Sequence, residues 1–497
     1  MAADLVVGVD LGTTALKAGL FDADGRMHAC GSSPYPIERA RPEWAEQQPE
    51  AWLSALGEVL ESLADAANGQ RVRAVGICGQ VNTHVFVDEA GAALRPAITW
   101  QDQRCGEIAL ELSLRLAEAS PAASSRFGVS SSTLPARAAW IAREEPAVWA
   151  ATRHVLSPKD FVSNVLCRLA RPVTDPITPF DVVGDDGAYD ADVIALVDGL
   201  AERLPAVQPI DAVVGTVAGS ALPLIEGATV VTGTMDAWGS VYGSGVTEHG
   251  DAMEVAGTSE ILALLSRERR PAAGVVTFLE VDGLYLHAGP TQAGGAALAW
   301  FAEVAGLSVG DAIERAGRAR AGAGGLIFMP HLLGERAPIW DSDMRGAFIG
   351  LSSEHTIDEL CRAVLEGVAY SARHLLESLE QAGGVAPPEL RASGGGSQSD
   401  LWCQIKADVL ERPIARVGVR ESGCLGAALM AASGVGLVES VRGAAREQVR
   451  IERVFAPAPA RGVYDELYPL YRELQRALEP IHGALGELRR RTDVPST

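Results

Sequence analysis

Lysine is almost missing from this chain: 497 residues contain three, Lys17, Lys159 and Lys406, and 42 basic residues face 64 acidic ones for a formal charge of -22. That balance argues against a nucleic-acid or anionic-membrane partner, since both are bound through dense positive charge, and a phosphate ligand is expected to be held locally. The seven cysteines are odd in number and none lies in a CxxC pair, so a reduced, cytoplasmic setting is expected rather than a disulfide framework. Nine histidines show no HExxH spacing, and no structural metal is expected. The longest stretch without an acidic, basic or histidine residue, between Glu421 and Glu439, falls short of the roughly 20 apolar residues a membrane span needs. Being full of small residues, it reads as a buried, closely packed helix. The opening MAADLVVGVD has no basic region and its apolar run is cut by Asp10, which fits neither a leader nor an anchor. Two nucleotide signatures, GxxxxGK[ST] and GxGxxG, are also absent, so P-loop and Rossmann readings fall away.

What is present is a globular composition, 47% hydrophobic with mixed charge, long enough for two or more domains. LVVGVD, ALKAGLFD and RMHACGS read as three consecutive strands joined at Leu-Gly-Thr-Thr and at Asp24-Gly25. Pro49 then opens a helix over EAWLSALGEVLESLADAA, the strand RVRAVGICGQ follows, and an α-rich insert is expected around residues 104–205. The pattern restarts with DAMEVAGTSEILALLS, GVVTFLEV and GLYLHAG as strands, then helices near GGAALAWFAEVAG and from Thr356 onward, then the short strand and glycine turn of ELRASGGGSQS. This predicts duplicated meander-and-helix units, residues 1–246 and 247–497, with a seam near Gly245–Gly250 and a ligand cleft between them. One continuous α/β sheet is the alternative.

Asp10-Leu-Gly-Thr-Thr sets a carboxylate at a strand end, a glycine that lets backbone approach a ligand, and two hydroxyls: a turn able to cradle phosphate oxygens, with Asp10 on a water-linked Mg²⁺. Ala256-Gly-Thr-Ser259 repeats the arrangement, and Ser393-Gly-Gly-Gly-Ser397 offers a third close backbone approach. Asp236 stands alone as a carboxylate in VVTGTMDAWGSVYGSG. Together these point to phosphoryl transfer from a nucleotide to a hydroxyl. Lys17 is either a phosphate contact or an exposed hairpin lysine. Trp44, Trp100 and Trp238 are core aromatics or, for Trp238 beside Asp236, a sugar-stacking face. Asp102 and Arg104 are a surface ion pair or part of the cleft, and His84 is expected to be a satisfied structural histidine.

The sequence resembles the FGGY carbohydrate kinases of the actin-like ATPase superfamily, and within them the xylulose kinase branch, from Val6 to about Arg476. The carrying elements are the DLGTT turn, Trp44-Ala-Glu46-Gln47, Trp100-Gln-Asp-Gln-Arg104, Leu156-Ser-Pro-Lys-Asp160, Gly334-Glu-Arg-Ala-Pro338, Gly346-Ala-Phe-Ile-Gly-Leu351 followed by Glu359-Leu-Cys-Arg-Ala-Val-Leu-Glu366, and SGGGSQSDLW. The resemblance implies an α/β fold of two actin-like (ribonuclease H-like) ATPase domains with a central cleft that closes on substrate. It implies Asp236 as catalytic base, Asp10 as the Mg²⁺-linked carboxylate, and Thr13, Thr14 and Lys17 as the β/γ-phosphate turn. Thr258 would be a second phosphate contact and Gly295, Gly395 and Ser399 would line the nucleotide. The substrate set is Gln80, Val81, Asn82, Trp100, Asp102, Asp236 and Trp238. ATP, Mg²⁺ and a small sugar are the implied ligands, with a homodimer left open.

Departures fall where the sugar is read. Xylulose kinases carry Gln-Met-His-Gly where this chain has Gln80-Val-Asn-Thr83, and Asp-Asn where it has Asp236-Ala237; Leu134 and Arg137 replace a small residue and a lysine before Trp140. A site built for particular hydroxyls discriminates by pairing them, so another ketose or a sugar alcohol fits as well as D-xylulose. A chaperone-like ATPase and a sugar-sensing regulator that has lost catalysis are the rivals from other classes. The residue 346–366 signature opposes the first and the retained Asp10, Asp236 and Thr258 oppose the second.

Overall fold

Leu5–Leu11, Ala15–Asp22 and Met27–Pro34 form an antiparallel meander in which Asp10 lies opposite Lys17. Leu5–Leu11 is buried along almost its whole length, as an inner strand covered on both faces must be. These coordinates come from a computed structural model that describes residues 4–219, 222–458 and 462–492. Val72–Gly79 runs parallel to the first strand, with Asp10 beside Cys78. Thr229–Val231, Thr234–Met235 and the edge strand Val213–Thr216 complete a seven-stranded sheet. Pro49 starts the helix Pro49–Ala67, whose Trp52, Leu56, Leu60 and Leu63 follow three- and four-residue spacing onto that sheet, and Asn68 ends it in the left-handed conformation. The insert is helical as expected, from Gly106–Ala119 to Pro146–Ala151 around a separate core that includes Leu112, Leu134, Ile141 and Leu200, while Pro158–Cys167 packs Phe161, Val162 and Leu166 into the core of the first sheet.

A second seven-stranded sheet repeats the logic. Ala252–Ala256 pairs antiparallel with Glu260–Ser266 on one side and parallel with Leu390–Ser393 on the other, as Leu5–Leu11 pairs with its own neighbours. Leu284–Pro290 and Val276–Val281 extend one edge, Ile414–Val417 and Ile451–Phe455 the other. The long helix Ile357–Gly383 opens on a capping box between Thr356 and Glu359 and buries Val364, Leu365, Val368, Leu375 and Leu379. Two separate sheets, not one continuous one, are thus present.

The chain divides between Gly245 and Val246, but the division is not a simple cut: Glu421–Val449 belongs to the first unit and Arg450–Thr497 to the second. The expected 247–497 domain therefore gives up that segment. The reason is the small-residue helix Ser422–Gly434. A Cβ on Gly8 would sit 1.8 Å from the Cys424 carbonyl oxygen and one on Gly76 1.9 Å from that of Ala427, so helix and strands meet backbone to backbone. Only strands with glycine at those positions accept this helix, and they are in the first sheet. Among the described residues no single helix is long and apolar enough to cross a membrane.

Candidate active site

Asp10, the penultimate residue of its strand, lies next to the helix Ser422–Gly434, where a Cβ on Gly423 would lie 2.5 Å from Asp10 Oδ2. The Oδ1 atom is buried and has no hydrogen-bond partner among the described residues. Burial pushes the Asp10 carboxyl up to about 6 against the pull of Lys17. Asp236 is the first residue of the helix Asp236–Gly243, and its Oδ1 accepts the Ala237 amide at 2.8 Å. Burial, then the nearby Asp10 charge, raise its carboxyl to about 7. A carboxylate poised near neutrality is what general-base work requires.

The turn carrying Thr13 and Thr14 is tied to the proposed acceptor residues. Trp100 Nε1 donates to Thr13 Oγ1 at 2.9 Å, Gln47 Nε2 to the Thr13 carbonyl at 2.6 Å, and Gln80 Nε2 to Gln47 Oε1 at 2.8 Å. Thr14 is exposed, and Val81 and Asn82 are half-buried. Asn82 has φ of 52°, a left-handed backbone that asparagine tolerates better than most residues, which accounts for an asparagine at this point of the loop. Trp238 is buried against Tyr242, with ring centroids 5.6 Å apart, and its Nε1 has no partner among the described residues.

Three expectations change. Lys17 is neither free nor a plain hairpin lysine: its ammonium donates to Glu421 Oε2 at 2.6 Å. Asp102 leaves the substrate set, because it is fully buried and saturated: Oδ1 accepts Arg104 N and Nε, and Oδ2 accepts the Ala45 amide and Arg104. Its partner Arg104 lies over Trp44 at 3.6 Å and near Trp140 at 5.0 Å, so this is an internal support for the loop, neither a surface pair nor a ligand contact. His84 is buried, but its Nδ1 is unsatisfied among the described residues.

In the second unit Thr258, Gly295, Gly395 and Ser399 converge on one cavity of about 770 Å³, the size of a pocket for a nucleotide-sized ligand. Gly295 begins the helix Gly295–Val304 and its amide donates to the Gly257 carbonyl at 2.9 Å, setting the helix N-terminus beside the Ala256–Ser259 turn. Gly394, at φ 85°, brings the glycine run against that turn, where a Cβ would lie 2.5 Å from the Ala256 carbonyl oxygen. Leu298, Trp300, Gln398 and Trp402 also line the cavity; Gln398 and Trp402 lie in the SGGGSQSDLW element, but none of the four was given a nucleotide role from sequence, although Trp300 lies five residues beyond Gly295 on the same helix. Beneath it, Lys406 donates to Glu254 at 2.6 Å and Glu260 at 2.5 Å, a buried triad that fixes the two strands flanking the turn. Among the described residues no group of three potential metal ligands occurs.

The N-terminal domain of the FGGY family of carbohydrate kinases matches residues 5–243 and the C-terminal domain residues 252–435. The xylulose kinase of Lactococcus lactis is 28% identical over 497 residues, covering 97% of this chain and 98% of that one. The gluconokinase of Bacillus subtilis is 24% identical over 504 residues, covering 98% of each. The crystal structure of xylulose kinase from Rhodospirillum rubrum is 31% identical with a TM-score of 0.82, covering 96% of this chain and 100% of that one. With both family domains spanning most of its length, each on its own actin-like sheet, this chain belongs to the FGGY family of carbohydrate kinases and is a sugar kinase.

Proposed function

We propose that the chain transfers the γ-phosphoryl group of ATP to a hydroxyl of a small ketose of the pentulose class, of which D-xylulose is the nearest example, with Asp236 as general base. The observation that carries this reading is the half-buried Asp236 carboxyl, raised to about 7 on a helix start in the same unit as the Gln80–Thr83 loop. The acceptor oxygen bonds to the γ-phosphorus as the bond to the bridging oxygen of ADP breaks, and the hydroxyl proton passes to Asp236. Thr13, Thr14 and Lys17 take the phosphates in the first unit. Thr258 does so in the second, where Gly295, Gly395 and Ser399 line the nucleotide. Gln80, Val81, Asn82, Trp100 and Trp238 form the acceptor side.

Asp10 fits a Mg²⁺ ion carried with the nucleotide: Mg²⁺ keeps most of its waters and takes one or two carboxylates, and Asp10 has a buried oxygen free of protein partners among the described residues. When bound, the ion neutralises phosphate charge. Asn82 and Ala237, in place of a histidine and an asparagine, favour a second reading in which another ketose or a pentitol is preferred over D-xylulose. ADP release with Mg²⁺ and ATP, measured over pentuloses, hexuloses, pentitols and glycerol, decides between them. Turnover on at least one pentulose is expected, and no ADP release above background with any acceptor overturns the kinase reading.

A further inference from the structure

Behind Asn82, inside the first unit, is a cavity of about 30 Å³ lined by Asn82, His84, Ser157, Asp160, Asp181 and Leu204, among others. That is room for two waters or a single hydroxymethyl group. Most of its wall is apolar, from side chains such as Leu134, Val155 and Leu204, with a few polar groups set into it. His84, one of the lining residues, is 8% exposed, and its buried Nδ1 has no hydrogen-bond partner among the described residues. Asp181 is 7% exposed, and its Oδ2 accepts the Leu134 amide at 2.6 Å. The cations nearby are committed elsewhere. Lys159 pairs with Asp160 at 2.6 Å and Asp175 at 3.0 Å, and Arg137 donates to the carbonyls of Ser131, Ile98 and Thr99.

We propose that this cavity is an acceptor subsite: it takes the terminal hydroxymethyl group of an uncharged polyhydroxy acceptor, whose hydroxyl donates to Asp181, and it disfavours acceptors that end in a carboxylate. The inference rests on the kinase reading above and deepens it, naming a neutral ketose or polyol over a sugar acid. Burial pushes the Asp181 carboxyl up to about 6, which leaves it mostly ionised at pH 7.5 and therefore an acceptor of hydrogen bonds and a repellent of anions. A hydroxyl entering the cavity also meets His84, whose burial and the neighbouring Arg137 charge hold it neutral, able to donate or accept according to tautomer.

The test compares the parent with Asp181→Asn, which keeps an oxygen for the Leu134 amide, and with Leu204→Phe, which narrows the cavity from its apolar side. Initial rates at pH 7.5 are measured with dihydroxyacetone, erythrulose, pentuloses, pentitols and gluconate. For Asp181→Asn the expected result is a loss of about 10- to 100-fold in kcat/KM for the best five-carbon acceptor, the range of one hydrogen bond to a charged group. The loss should lie mainly in KM, be much smaller for dihydroxyacetone, and be accompanied by a narrower gap to gluconate. Leu204→Phe should lower the same acceptors selectively. Equal losses for every acceptor, no loss, or a parent that prefers gluconate would overturn the subsite. If the parent phosphorylates nothing, the kinase reading has failed, and the subsite is judged by calorimetric titration of the pentuloses and pentitols without ATP. Binding weakened by Asp181→Asn upholds it; binding unaltered or absent overturns it.

Discussion

Lys17 and Glu421, 404 residues apart in sequence, are joined by a 2.6 Å contact between ammonium and carboxylate. The lysine side chain is 41% exposed and the glutamate 16%, so the pair contributes under about 1 kcal/mol to stability. Its weight falls on ligand binding: if Lys17 takes a phosphate, as proposed, Glu421 competes with that phosphate for the same charge. Glu421→Gln is expected to tighten MgADP binding by about 2- to 10-fold, the range of a partly screened charge pair, while Lys17→Met weakens it. Isothermal titration at two ionic strengths checks this. Weaker binding in Glu421→Gln would mean that the glutamate positions the lysine rather than competing for it.

Asp236 makes a paired prediction about activity and stability. With a folded-state value of about 7 against 3.8 unfolded, the carboxyl is protonated in both states below about pH 4, and as pH rises the unfolded chain releases its proton first. The charged form therefore destabilises the fold progressively between about pH 4 and 7. Asp236→Asn should leave the melting temperature unchanged at pH 4 and raise stability at pH 8 by about 1–3 kcal/mol, discounted from the full shift because the residue is half-buried. The same variant should lose about 10²- to 10⁴-fold in kcat, and the parent's kcat/KM should climb with pH through about 7. An unchanged turnover would remove Asp236 from the mechanism.

Much of this arrangement could be read from the chain, and the failures share a cause. The opening meander is local, with short apolar strands joined at glycine-containing turns, and it appears where the pattern puts it. Gly295, Gly395 and Ser399 were placed by resemblance, and they meet Thr258 at one cavity. Asp102 could not be sorted from sequence, because a carboxylate two residues before an arginine looks the same on a surface as in a saturated buried pair. The helix Ser422–Gly434 was recognisable as buried, but it is small and apolar all round and presents no face to say which sheet it lies on. That information sits in Gly8 and Gly76, far away in the chain, and with it went the position of Glu421.

The same contact predicts a stability effect. A methyl group at Gly76 would have to push the Ala427 carbonyl from 1.9 Å to beyond 3 Å, moving the helix that flanks Asp10. Gly76→Ala should cost at least about 3 kcal/mol, above the usual range for overpacking because backbone rather than side chain must yield. Gly106→Ala, with nothing within 4 Å, is the control and should change stability by less than about 1 kcal/mol. Urea melts of both measure it. A Gly76→Ala protein as stable as the control would show that the helix can retreat from the sheet without loss.

The cavity lined by Thr258 and Gly295, proposed to take the nucleotide, carries the last prediction. Trp300 lines it while 40% exposed, and its ring is stacked on Phe328 with centroids 6.4 Å apart, so it is a rigid aromatic wall with part of its surface open to the cavity. A purine brought onto or beside that indole should quench its fluorescence, and stacking of a base on an aromatic side chain is worth about 1–3 kcal/mol. Trp300→Leu should therefore weaken ADP by about 5- to 100-fold and abolish the ADP-dependent part of the emission change, leaving acceptor binding as it was. Thr258→Val should weaken ADP without removing the quench, because the hydroxyl would serve the phosphates and not the base. The two variants thus separate the ends of the nucleotide. If Trp300→Leu keeps both the affinity and the quench, the base lies elsewhere and the cavity serves another part of the ligand.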